Sequence, residues 1–161
     1  MWRELEHAMQ SIAACYKELL GIGTQKHKAL ATMNLKALEA VVKEEERLVA
    51  KIERLEGERK EILTELARRE EGITPDMKLR DLCRLCPDKT AAETLHRLHT
   101  ELDSLTQQVK DAGTGNTLLA ESALAAVTAN LNRIGGVSAG SSYGAGGEES
   151  VTRKQRFDFQ A

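Results

Sequence analysis

The sequence has few aromatics, little proline and no excess of one charge. Of 161 residues, one is Trp, two are Tyr, two are Phe and two are Pro. So few large rings exclude a thick globular core. The apolar content comes from Leu, Ala, Ile and Val, which suit packed helical layers. Charged residues make up 30% of the chain, yet the net charge is only −2. That balance excludes the basic stripe a nucleic-acid binder needs, so no nucleic-acid partner is expected. No run of 18 apolar residues occurs, so no membrane insertion is expected. The start, MWRELEHAMQS, lacks the apolar centre of a signal peptide and carries acidic residues early. Three cysteines, an odd number, fit a reduced, cytoplasmic setting. The length fits one domain.

What the sequence does have is helical periodicity. Leu5, Ala8, Ile12, Cys15, Leu19 and Ile22 recur in steps of three and four. Leu38, Val41, Leu48, Ile52, Leu55, Ile62 and Leu66 form a second such stripe, with Glu45 and Arg59 at the seam positions it skips. The phase slips by about one residue between the stripes, near Ala37 to Val41. Glu39/Lys43, Glu56/Lys60 and Glu65/Arg69 are favourable i,i+4 pairs on the outer face. The pattern predicts one long helix from Trp2 to Glu71, roughly 105 Å if continuous. Gly21–Gly23 is its weakest point.

Gly72, followed by Pro75, reads as a helix stop. Thr74-Pro75 reads as the N-cap and first residue of a short helix through Leu79, Leu82 and Leu85, ended by Pro87. Thr90-Ala-Ala-Glu93 fits a capping box. From it runs the most regular stripe: Leu95, Leu98, Leu102, Leu105, Val109, Ala112, Asn116, Leu119 and Ala123. Its helix is expected to reach about Ile134 and to fold back on the first as an antiparallel pair. Asn116 takes a seam position, where a polar residue fixes register. The fold class expected is all-α: a long antiparallel helical hairpin or coiled coil of about three helices, over residues 1–134, followed by a disordered tail over 135–161.

Past Asn116 the apolar face widens. Leu124, Val127, Leu131 and Ile134 lie one residue out of phase with the older stripe. Such a surplus either closes a three-helix core or waits for a partner. The sequence then turns Gly/Ser-rich, GGVSAGSSYGAGGEES, a composition that cannot form a core. Yet Tyr143, Phe157 and Phe159 lie in this last part, and aromatics are common interface anchors.

No residues argue for catalysis. Cys83-Arg-Leu-Cys86 and His96-Arg-Leu-His99 together supply four ligand types that zinc accepts. The histidine spacing is too short for the usual module, and buried apolar cysteines beside Leu82 and Leu85 are the simpler reading. No metal and no cofactor are expected. The acidic runs Glu44–Glu46 and Glu70–Glu71 sit on a solvated helix face, without the pocket that acid–base chemistry requires. No catalytic residue is assigned, and the protein is expected not to be an enzyme.

Two stretches carry a family resemblance. Leu35-Lys36-Ala37-Leu38-Glu39 and Leu55-Glu56-Gly57-Glu58-Arg59 stand in the first helical segment. Asn116, Leu118-Leu119 and Ala123-Leu124 stand in the last, followed by Tyr143-Gly144-Ala145-Gly146-Gly147. This layout resembles the FlgN family of flagellar type III export chaperones. The resemblance implies a cytoplasmic chaperone that holds the C-terminal helical segment of hook-associated proteins, the proteins that join hook and filament. It also implies delivery to the cytoplasmic domain of the export gate, with Tyr143 and Gly144 in gate docking. Leu118, Leu124, Val127, Leu131 and Ile134 are the expected client-binding residues, with Phe157 and Phe159 as an added clamp. A homodimer is the client-free alternative. The competing reading is a generic self-associating coiled-coil adaptor.

Overall fold

The computed structural model describes residues 1–137, and every regular element in them is helical. The elements are α1 (Trp2–Ala31), α2 (Leu35–Arg69), α3 (Leu79–Leu85) and α4 (Lys89–Val137). Three are long and one is short, about two turns, in keeping with the all-α class expected. The first residues of the expected disordered tail, 135–137, instead continue α4; Tyr143, Gly144, Phe157, Phe159 and the rest of that tail lie outside the described residues.

The single long helix expected over the first segment is instead two. Helix α1 ends at Ala31, and the chain reverses through Thr32–Asn34. The Asn34 amide donates to the Ala29 carbonyl at 2.9 Å and the Met33 amide to the Leu30 carbonyl at 3.1 Å. This paired closure, around Met33 at φ 52°, is a Schellman motif. Asn34 then starts α2: its side-chain Oδ1 accepts from the Ala37 amide at 3.0 Å. One residue therefore closes one helix and opens the next. The phase slip near Ala37 to Val41 was the trace of this reversal. The glycines are not the weak point, because α1 runs unbroken through Gly21 and Gly23.

Two other boundaries also shift. Thr74-Pro75 makes a turn, closed by Met77 N–H to the Thr74 carbonyl at 3.0 Å, and α3 starts only at Leu79. Proline at the second position of a turn satisfies the same φ that a helix start would use. The cap of α4 is Asp88 rather than Thr90: its Oδ1 accepts from the Thr90 and Ala91 amides at 2.9 and 3.4 Å. Helix α2 ends at Arg69 with Glu70 already extended, and Gly72, at φ +83°, serves the turn that follows rather than the helix stop itself.

Helix α1 contacts both α2 and α4. Trp2 meets Glu70 and Lys26 meets Glu45, so α1 and α2 run antiparallel. Lys17 meets Glu101 and Gly23 meets Asn116, so α1 and α4 run parallel. The antiparallel packing is thus made by α1 and α2, while α4, expected to return antiparallel to the first segment, lies alongside α1 in the same direction. Serving two neighbours, α1 buries Met9 and Ala13 besides the predicted Leu5, Ala8, Ile12, Cys15 and Leu19.

The core has two parts. At the base, Leu5 and Met9 meet Leu63 and Leu66 of α2, Ile73 of the loop, Leu82 and Cys83 of α3, and Leu95 and Leu98 of α4. Higher up, Ile12, Cys15 and Leu19 pack against Leu48, Ile52 and Leu55. The ion pairs Glu39–Lys43 and Glu65–Arg69 form as spaced, at 2.8 and 2.7 Å. Glu56 instead takes Arg59, at 2.7 Å. Glu45, at a seam position, is matched across the hairpin by Lys26.

Candidate functional site

Helix lengths decide where the unusual surface lies. Helix α4 has 49 residues and α1 only 30, and they run parallel from the same end. The last buried residue of α4 is Asn116, opposite Gly23 and His27 of α1. Helix α1 stops at Ala31, only a turn further on. The remainder of α4 up to Val137 therefore projects past the α1–α2 tip by about 25 Å, at about 1.5 Å per residue.

The face that α4 turns toward α1 does not stop where α1 stops. Steps of three and four lead from Asn116 through Ala120 and Ala123 to Val127, Asn130 and Ile134, flanked by Leu124 and Leu131. In the covered part these positions are buried or half-buried. On the projecting part Val127 is 40%, Leu131 57%, Leu124 63% and Ile134 65% exposed. Four large apolar side chains thus share one uncovered face. Leu118 does not share it: it is exposed, but stands nine residues from Val127, about two and a half turns, on the opposite side. Charge is sparse on this part of α4, with Glu121 and Arg133 alone between Ala120 and Ile134. Met33 and Leu35, both exposed, add apolar surface at the adjoining hairpin tip.

At the root of the projection lies the one buried polar side chain among the described residues, Asn116. Its Nδ2 donates to the Gly23 carbonyl at 2.8 Å. Its Oδ1 is therefore the acceptor for His27 Nδ1 at 3.2 Å, so that nitrogen carries a hydrogen. The helices are close here: a Cβ on Gly23 would stand 3.5 Å from the Ala112 Cβ, an ordinary contact that leaves room for alanine but not for a larger side chain. Asn116 was legible as a seam residue; Gly23 and His27 were not, because nothing in the sequence pairs them with it before the parallel register is known.

The cysteine and histidine groups are not brought together as a site. Cys83 is buried in the base core, and Cys86 lies at the end of α3, where its thiol reaches the Asp88 carbonyl at 3.4 Å. Burial raises the pKa of both thiols; the neighbouring Cys86 adds to this at Cys83, and the Asp88 and Glu70 charges oppose ionisation at Cys86. His96 is exposed and His99 lies 3.6 Å from Asp103 on its own helix. Among the described residues no group of three or more His, Cys, Asp or Glu is arranged to hold a metal ion. A shallow opening between α1 and α2, edged by Arg3, His7, Lys51 and Arg54, offers no enclosed cavity. No helix among the described residues is long and apolar enough to cross a membrane.

The profile of the FlgN family, described as FlgN protein, matches residues 1–150. The chain belongs to the FlgN family. Membership places it among the chaperones of flagellar biogenesis, and the projecting face of α4 becomes the surface to explain. No curated protein and no solved structure matches the chain.

Proposed function

We propose that this FlgN-family chain is a cytoplasmic export chaperone that lays the C-terminal helical segment of a hook-associated protein along the projecting face of α4. The observation that carries the reading is the uncovered set Leu124, Val127, Leu131 and Ile134, continuous with the face that holds α1. An amphipathic helix bound in this way buries its own apolar stripe, which keeps the client from self-associating before export. Leu118, on the other side of α4, takes no part in that face. Phe157 and Phe159 clamp the bound client, and Tyr143 with Gly144 docks the loaded chaperone on the cytoplasmic domain of the export gate. These last roles rest on the family resemblance and on aromatics as anchors.

The test is capture of purified hook–filament junction proteins by the full chain, by a chain ending at residue 134, and by Val127→Asp/Leu131→Asp. A soluble complex with the full chain, lost in the double variant while helicity is kept, is the expected result. Tyr143→Ala should keep the client and lose the gate. Capture of no junction protein, with a stable homo-oligomer in its place, would turn the reading toward a self-associating coiled-coil adaptor.

A further inference from the structure

The α4 half of the α1–α4 contact at Asn116 recurs further along the same helix. The first copy consists of Ala112 and Asn116. Ala112 stands opposite Gly23, and Asn116 bonds both the Gly23 carbonyl and the His27 ring. Fourteen residues on, two heptads along the same face, come Ala126 and Asn130 with the same spacing. Both are exposed, and both lie on the projecting part of α4, about 21 Å beyond the first copy. Asn130 interrupts the apolar run between Val127 and Ile134, where a nonpolar residue would add more buried area. A polar amide at a seam position specifies register, at a cost relative to a seam that is apolar on both helices.

We propose that Ala126 and Asn130 form a register-setting contact for the helix held on the projection. The partner is an amphipathic helix running parallel to α4, with Gly or Ala opposite Ala126 and a hydrogen-bond donor four residues later. Each requirement follows from the first copy. A small residue lets the two backbones approach, so that the Asn130 amide reaches a helix carbonyl as Asn116 reaches that of Gly23. The Oδ1 left over accepts from a donor one turn on, as Asn116 accepts from His27. Parallel direction follows because α1 rises from Gly23 to His27 as α4 rises from Ala112 to Asn116. The occupant thereby extends the path of α1 beyond the hairpin tip. The inference rests on the proposed function and adds to it the direction and sequence requirement of the client helix.

The experiment measures affinity of the full chain for a purified hook–filament junction protein, comparing wild type, Asn130→Leu, Ala126→Leu and Val127→Asp/Leu131→Asp. Both single substitutions lie on exposed positions, and circular dichroism and sedimentation confirm that fold and oligomeric state are retained. Asn130→Leu should weaken binding about tenfold or more, since it strands the client's donor. Ala126→Leu should do the same by holding the helices apart. Photo-crosslinkers placed at 124 and at 134 should capture client positions in ascending order, as a parallel helix requires. Binding lost in the double variant but unchanged in Asn130→Leu and Ala126→Leu would overturn the register inference and leave the chaperone reading intact. Descending crosslink order would overturn it likewise. No binding by wild type would sink the chaperone reading and this inference with it. A wild-type dimer dissociated by Asn130→Leu, with client affinity unchanged, would give the face to a second copy and overturn the proposal.

Discussion

Asn116 donates its amide N–H to the main-chain carbonyl of Gly23, 2.8 Å away and 93 positions earlier in the chain. The bond joins two parallel helices at a level past the last buried apolar residue of α4, Leu105, and pins the register from which α4 projects beyond α1. Asn116→Leu should cost about 1–3 kcal/mol, because the His27 ring and the Gly23 backbone lose a buried partner. Urea unfolding checks this. An unchanged midpoint would show that the bond has no structural weight.

The glycines of α1 should respond differently to size. A Cβ at Gly21 meets nothing within 4 Å, and one at Gly23 meets only the Ala112 Cβ at 3.5 Å. Gly21→Ala and Gly23→Ala should therefore each gain up to about 1 kcal/mol from helix propensity. Gly23→Leu should instead push α4 away and weaken the Asn116 contact. Thermal melts of the three variants compare the signs, and a Gly23→Leu as stable as Gly23→Ala would refute the close approach.

The reversal between α1 and α2 puts Met33 at φ 52°, where a side chain is strained. Met33→Gly should relieve about 1 kcal/mol of that strain, partly offset by the greater freedom of the unfolded chain. Asn34→Ala should cost about 1 kcal/mol by removing the cap on Ala37. Denaturation of the pair should show opposite shifts. Equal loss in both would mean that the turn is set by packing rather than by its own backbone.

The thiols of Cys83 and Cys86 should react slowly. Burial raises both pKa values, so the thiolate fraction at neutral pH is below that of a free cysteine. Alkylation by iodoacetamide should be slower than for glutathione at each site and should accelerate as pH rises toward the raised values. Fast labelling of Cys86 near neutrality would contradict this.

Trp2 ties the start of α1 to the end of α2 through its indole N–H on Glu70 Oε1, at 2.8 Å. Trp2→Phe keeps most of the apolar contact and removes only this bond, so the loss should be about 0.5–1.5 kcal/mol. Wild-type Trp2 fluorescence should track unfolding of the base cluster it packs against. A fluorescence transition that precedes loss of helicity would show that the base opens on its own.

Stripes of apolar residues at steps of three and four determined the all-helical class, because that spacing buries one side of a helix whatever it meets. Leu5, Ile12, Leu66 and Leu95 were legible as core for this reason. Pro87 was legible as a stop, since the residue before a proline is held out of the helical region, and Gly72 marked the end of α2 to within three residues. The turn at Thr32–Asn34 was not: it uses Met at the left-handed position and a single Asn for two caps, and neither carries the usual glycine signal. The Asp88 cap is masked in the sequence by Thr90-Ala-Ala-Glu93, which fits the capping-box pattern two residues on. Sequence also gave the surplus apolar residues of α4 without saying which way they point. Only the tertiary structure decided that Leu124, Val127, Leu131 and Ile134 stay uncovered while Leu118 faces away from them. The physical reason is length: periodicity assigns a face to each helix, but where α1 ends against α4 depends on a chain reversal and a parallel register that join residues far apart in the chain.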